Sequence, residues 1–148
     1  MARLFLYLLL VLHLFLGLGA LAGGGMLVLQ PDGSLLGMEP GWLAQSPFSS
    51  YLIPGFILFI FSGLLPLFSF LGLLLKPEWR WANALNIYPK RHWAWTYSLY
   101  SGIIVITWIT VQLIMTRYFW LQPVMIFTGL LIIIFTLTPS IMKKFELG

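Results

Sequence analysis

The chain has 148 residues, 60% of them hydrophobic and 8% charged, with a mean hydropathy of +0.96. Soluble domains carry about 25% charged residues, so a fully water-facing surface is excluded, and the net charge of +4 does not argue for nucleic-acid binding. No cysteine is present, which excludes disulfides, thiolate metal sites, c-type haem and CxxC redox chemistry.

In chain order, the apolar runs predict four membrane spans in one domain, 1–148. About 20 residues cross the hydrocarbon core, and the first run, residues 4–29, is long enough to do so. Gly23, Gly24 and Gly25 are expected to loosen or end its helix. Arg3, the Leu4–Leu16 run and Ala20-Leu-Ala22 also fit a cleaved signal peptide, and that reading leaves three spans. The continuation of apolar character to Leu29 favours a retained helix.

A polar stretch follows, from Gln30 to Gly55, punctuated by Pro31-Asp-Gly-Ser, Glu39-Pro-Gly and Ser46-Pro, each a turn signal. The second span, 51–75, contains Pro66, which removes a backbone donor and predicts a kink. Between Lys76 and Trp95, four tryptophans interleave with charges, as in segments at headgroup level. Pro77 and Glu78 suit the first turn of a short helix there, ending at Tyr88-Pro89. A third span, 95–115, and a fourth, 123–142, follow, joined by a tight turn around Arg117.

Four spans put both termini on one side. Seven of the eight basic residues fall on that side: Arg3, Lys76, Arg80, Lys90, Arg91, Lys143 and Lys144. Only Arg117 lies opposite. The positive-inside rule then makes the termini cytoplasmic and the Gln30–Ser50 loop external. The expected fold is an all-α, four-helix transmembrane bundle with an ordered outer loop between helices 1 and 2.

Small and polar residues recur at helical spacing. His13, Gly17, Ala20 and Gly24 form one stripe of the first span, and Gly19 and Gly23 a GxxxG beside it. Such stripes are helix-packing seams. His13 lies about 14 Å deep at 1.5 Å per residue, and it is expected to be neutral, hydrogen-bonded to a hydroxyl on a neighbouring helix. His92 lies at the membrane edge, so a metal or bis-histidine haem between the two is not expected. The span interiors hold no Asp, Glu, Lys or Arg. A proton-coupled pump or an acid-dependent membrane enzyme is therefore disfavoured, and no cofactor is implied.

The outer end concentrates the remaining candidates. Asp32 and Glu39 are the acids there, and an ion pair from Arg117 to either would hold the loop over the bundle. The loop is expected to cap a groove, with Asp32, Trp42, Phe48, Pro54, Gln112, Arg117, Trp120 and Gln122 as ligand-binding candidates. Pro40–Gln45 is expected to form an interfacial helical turn, with Trp42 dipping towards lipid.

The series PDGSLLGM, SPF, LIPG, WITVQ and WLQP resembles a family of small bacterial four-span integral membrane proteins. The resemblance runs from Gly23 to about Gly129 and implies a location in the bacterial cytoplasmic membrane, but no activity. It directs attention to Asp32, Gly33, Ser46, Pro47, Phe48, Pro54, Gly55, Gln112, Gln122 and Pro123. Three functional classes remain. The first is a non-enzymatic bundle that binds membrane lipid or another apolar ligand, or serves as a subunit of a membrane complex or homo-oligomer. The others are a small transporter or channel component and a membrane enzyme using His13.

Overall fold

A computed structural model of the chain describes residues 2–147. Regular structure among them is helical, apart from one isolated antiparallel bridge between Arg91 and Glu146. Helix α1 spans Ala2–Leu29, α2 spans Leu52–Leu75 and α3 spans Trp93–Met115; each is long and apolar enough to cross a membrane. Helix α4, Leu121–Thr136, is apolar and shorter, and α5 is the brief Pro139–Lys144. Short 3₁₀ turns occupy Ser34–Leu36, Pro40–Leu43 and Arg80–Leu85.

Both faces of α1 are apolar, so polarity does not sort them. Size does. Leu4, Tyr7, Val11, Phe15 and Leu18 lie exposed on one side, while His13, Gly17, Ala20 and Gly24 are buried on the other. Where lipid is as apolar as leucine, helices associate through close packing of small residues. A Cβ on Gly24 would stand 2.7 Å from the Gly55 carbonyl oxygen, and one on Gly17 would stand 2.6 Å from Leu67. The backbones of α1 and α2 therefore run antiparallel and almost touch. Gly102 and Gly129 make the same approach between α3 and α4, with Gly129 O 2.9 Å from a Cβ built on Gly102.

This contact corrects the expectation that Gly23–Gly25 end the first helix. Helical structure continues to Leu29, and the missing Cβ of Gly24 is used in the α1–α2 crossing instead of in a turn. The kink expected at Pro66 takes another form. Residues Leu58–Leu64 of α2 are wound as π-helix, and the Leu65 N–H reaches back to Ile60 O. Pro66 cannot donate to the Ser62 carbonyl, and widening the turn just before it accommodates the lost bond.

The fourth helix also differs from a single span over 123–142. Pro139 cannot donate to Phe135 O, and the Thr138 hydroxyl takes that carbonyl at 2.7 Å. The indole N–H of Trp95 donates to Thr136 O at 2.8 Å. Helix α4 ends there, and α5 starts afresh at Pro139. In the Lys76–Trp95 segment the turn is 3₁₀ and begins at Arg80, so Pro77 and Glu78 precede it.

That segment is folded tightly on the bundle end that carries the termini. Phe68 stacks on Trp93 with ring centroids 4.7 Å apart, and Trp79 stacks on Trp93 at 5.6 Å. Trp93 Nε1 and His92 Nε2 both donate to Pro77 O, each at 2.9 Å. Lys76 Nζ donates to Lys144 O at 3.0 Å, and the Leu147 N–H donates to Lys90 O at 2.7 Å.

His92 caps α3, its Nδ1 accepting the Ala94 N–H at 3.2 Å. Burial, helped by the Lys76 charge and opposed by Pro77 O and Glu78, holds its pKa below the ordinary value. The folded protein therefore binds fewer protons here than the unfolded chain. This contribution to stability is complete above about pH 6.5 and is lost as pH falls through the lower folded pKa. Thermal melting should weaken on acidification below about pH 6.5, and His92→Asn, which keeps a cap acceptor, should flatten that slope. An unchanged slope in the variant would remove His92 as its source.

A loop-capped cavity as candidate functional site

The loop between α1 and α2 is held by its own backbone. Asp32 Oδ1 accepts the Ser34 N–H at 2.9 Å, and Gly33 and Gly37 turn the chain at φ of 83° and 69°. The Ser34 N–H, then the Ser34 hydroxyl, holds the Asp32 carboxyl below the usual carboxylate range. Tyr51 closes the loop. Its N–H donates to Pro31 O at 2.8 Å and its hydroxyl to Glu39 O at 2.7 Å. Its ring packs with Leu27 and Leu43 in a small core of its own.

These bonds replace the expected ion pair. Arg117 is exposed, and the acids' recorded roles in the loop are the Asp32–Ser34 turn and the Glu39 carbonyl that Tyr51 holds. Tyr51→Phe removes the one long-range side-chain tie in the loop. It should cost about 0.5–1.5 kcal/mol and speed limited proteolysis between Gly33 and Ser50. Unchanged cleavage kinetics would show that the hydroxyl is dispensable.

Beneath the loop lies a cavity of about 210 Å³. Leu36, Met38, Leu43, Phe48 and Tyr51 form its roof, and Phe15, Gly19, Gly23 and Leu27 of α1 form one wall. Pro54 and Leu58 of α2, Trp108, Ile109, Gln112 and Met115 of α3, Thr116 and Phe119 beyond it, and Leu121, Gln122, Val124 and Met125 of α4 complete it. The void exists because two α1 positions on this face lack side chains. A Cβ on Gly19 would meet nothing within 4 Å, and one on Gly23 only Leu58 at 3.7 Å. Gly19-x-x-x-Gly23 is thus a cavity wall, not the second packing seam its spacing suggests. Phe15, Gly19 and Val124 are exposed, so the cavity opens sideways between α1 and α4. At the other end of the bundle, Phe5 and Phe135 close the same gap, with ring centroids 5.6 Å apart.

Of the eight ligand-binding candidates, Phe48, Pro54, Gln112 and Gln122 meet around this cavity; Asp32, Trp42, Arg117 and Trp120 are not among its lining residues. Leu43, one residue beyond Trp42, is the buried side chain of the Pro40–Leu43 turn. Trp120 is 62% exposed. Spacing did not single out Trp108 as a cavity residue, nor Phe119 and Tyr51. Tyr51 at the head of α2 was the readable signal, since an aromatic beside Pro54-Gly55 can fold back under a loop.

Some polar groups in the wall are already used. Thr116 Oγ1 donates to Gln112 O at 2.7 Å. Gln122 is buried, and its Oε1 accepts the Phe119 N–H at 2.8 Å, which leaves the amide NH₂ as a donor. The indole N–H of Trp108 is buried and has no partner.

His13 is fully buried elsewhere, in the α1 seam. Its Nδ1–H donates to Leu9 O at 2.8 Å, so its partner is its own helix and not the hydroxyl on a neighbour that burial suggested. Nε2 stays without a partner. Ser69 donates to Leu65 O and Ser101 to Tyr97 O. Among the described residues, no three His, Asp or Glu side chains could hold a metal ion. An open apolar groove also runs along α2 and α3 past Trp81, Leu85 and Tyr100. Its tyrosine hydroxyls are taken by Ala82 O and Leu85 O.

The fold and cavity define a helical protein with three helices able to cross a membrane and a loop-capped apolar pocket at one bundle end. Comparison with family models, curated proteins and solved structures finds no match to this chain.

Proposed function

We propose that this is a multi-pass membrane protein that binds a membrane lipid, one acyl chain entering the capped cavity sideways from the bilayer. The observation that carries this reading is the apolar cavity whose exposed lining residues, Phe15, Gly19 and Val124, lie on two neighbouring helices. At about 210 Å³ it exceeds the roughly 150 Å³ apolar cavities that stay dry and take up benzene. We further propose that the site lies in the outer leaflet of a bacterial cytoplasmic membrane, with both termini cytoplasmic. Support comes from the basic residues Lys76, Lys90, Arg91 and Lys144, which share the bundle end opposite the capped loop. The order of the PDGSLLGM, SPF, LIPG, WITVQ and WLQP motifs supports a place among small four-span membrane proteins.

Transport is the weaker reading. It needs a continuous polar path, and Ser69, Ser101 and Thr128 each donate to a carbonyl of their own helix. Native mass spectrometry of protein extracted from its membrane is the test. The expected result is one lipid retained per protein after detergent exchange; protein that emerges lipid-free under conditions that preserve its fold overturns the reading.

A further inference from the structure

The bilayer interior is as apolar as the cavity wall, so a bare hydrocarbon chain gains little by moving from one to the other. Selectivity among lipids must then come from polar groups, and two carboxamides supply them. Gln112, in the last turn of α3, and Gln122, in the first turn of α4, both line the cavity. The backbone carbonyl of Gln112 takes the Thr116 N–H and hydroxyl, while its side-chain carboxamide has no protein partner among the described residues. The Phe119 N–H donates to Gln122 Oε1 at 2.8 Å, which fixes the orientation of that carboxamide and leaves its NH₂ free. The other polar side chains of the wall are spent or shut in. Thr116 and Tyr51 donate their hydroxyl hydrogens to Gln112 O and Glu39 O, and the Trp108 indole nitrogen is enclosed. The Gln122 nitrogen and both polar atoms of the Gln112 carboxamide are not enclosed in this way.

The free set is therefore an acceptor, Gln112 Oε1, together with the two NH₂ donors. No lining residue is charged, so a phosphate or carboxylate brought inside would be desolvated without a counter-ion, which is costly. A head that only accepts, such as an ester or ether oxygen, would meet the NH₂ groups and leave Gln112 Oε1 unmatched. A hydroxyl both donates and accepts. We infer that the cavity selects an uncharged lipid alcohol, its hydroxyl donating to Gln112 Oε1 and accepting from the Gln122 NH₂. This is the chemistry of a diacylglycerol or a long-chain alcohol. It rests on the proposed lipid-binding role and deepens it by naming the head. Both carboxamides lie within one turn of a helix end, which puts the hydroxyl near the end of the bundle, with the chain running deeper along Gly19.

The experiment uses the full chain in phosphatidylglycerol nanodiscs doped with matched pairs of probes. One pair is dioleoylglycerol and its O-methyl ether, the other oleyl alcohol and its methyl ether. Within each pair the chains are the same and only the hydroxyl hydrogen is lost. Native mass spectrometry should recover alcohol over ether by about 3- to 10-fold in at least one pair. Preference in the glycerol pair assigns a two-chain lipid, and preference confined to the oleyl pair a single-chain one. Gln112→Leu, which removes no side-chain bond within the protein, should erase the preference, and Gln112→Met keeps the test informative if the first variant does not fold. Equal recovery within both pairs, or a preference that survives the Gln112 variants, overturns the hydroxyl inference and leaves the lipid-binding reading standing. Retention of phosphatidylglycerol in place of either alcohol does the same. Protein that retains no lipid of any kind overturns both.

Discussion

Gly19→Leu should abolish lipid retention while leaving the fold as stable as the parent. The expectation follows from what surrounds this position. A Cβ there would find no atom within 4 Å, so the larger side chain needs no displacement of its neighbours. Four added carbons would nevertheless take up much of a cavity of about 210 Å³. Cavities in well-packed interiors persist only where the wall cannot collapse, and at Gly19 and Gly23 this wall is backbone. The readout is lipid retained after detergent exchange alongside a thermal melt of the same sample. Retention unchanged from wild type would show that the chain binds elsewhere. Lost stability would show that Gly19 is a structural contact after all.

Gly24→Val, five residues along the same helix, should do the reverse and damage the fold. Its Cβ would lie 2.7 Å from both Gly55 O and the Phe59 nitrogen, and 2.9 Å from the Phe59 Cα. All three are backbone atoms, which cannot rotate out of the way as a leucine tip can. Overpacking of this sort costs about 1–3 kcal/mol, a fall in melting temperature of roughly 2–12 °C for a chain of this size. Melting and the fraction of monodisperse protein after extraction give the check. Gly19→Ala is the matched control, and an equal response from the two glycines would contradict the assigned seam.

This pair of glycines also marks how far the chain could be read without coordinates. Three spans were visible because an apolar run of 20 or more residues has few other outcomes. The His13, Gly17, Ala20, Gly24 stripe announced a seam because small residues recur there at helical spacing. Gly19 and Gly23 share that spacing, and spacing alone cannot distinguish a face pressed against a helix from a face left empty. Which it becomes depends on where α4 lies, a tertiary fact. The same limit separates Trp42 from Leu43: a 3₁₀ turn and an α turn rotate successive side chains differently, and the chain chose Leu43 as its inward residue.

Other differences had a local cause. Thr138-Pro139 was a stop signal inside the fourth apolar run, since proline cannot bond to the carbonyl four residues back. The run's hydrophobicity masked it. The Arg117 ion pair had the right partners on the right end of the bundle. Asp32 was already engaged by the next turn of its own loop, at 2.9 Å from the Ser34 nitrogen, and such local side-chain bonds compete effectively with distant ones. His13 shows the same preference, satisfied by its own helix at Leu9.

The central claim, that an acyl chain occupies the cavity beneath the loop, is tested most directly by fluorescence quenching in bilayers. Reconstitution into lipids brominated along the acyl chain places the quencher where the bound chain would lie, and the emission difference between wild type and Trp108→Phe isolates Trp108. The account predicts strong quenching of Trp108 that disappears when Gly19 is replaced by leucine. Trp108 emission that is indifferent to brominated chains, or equally quenched with Gly19 replaced, would contradict it.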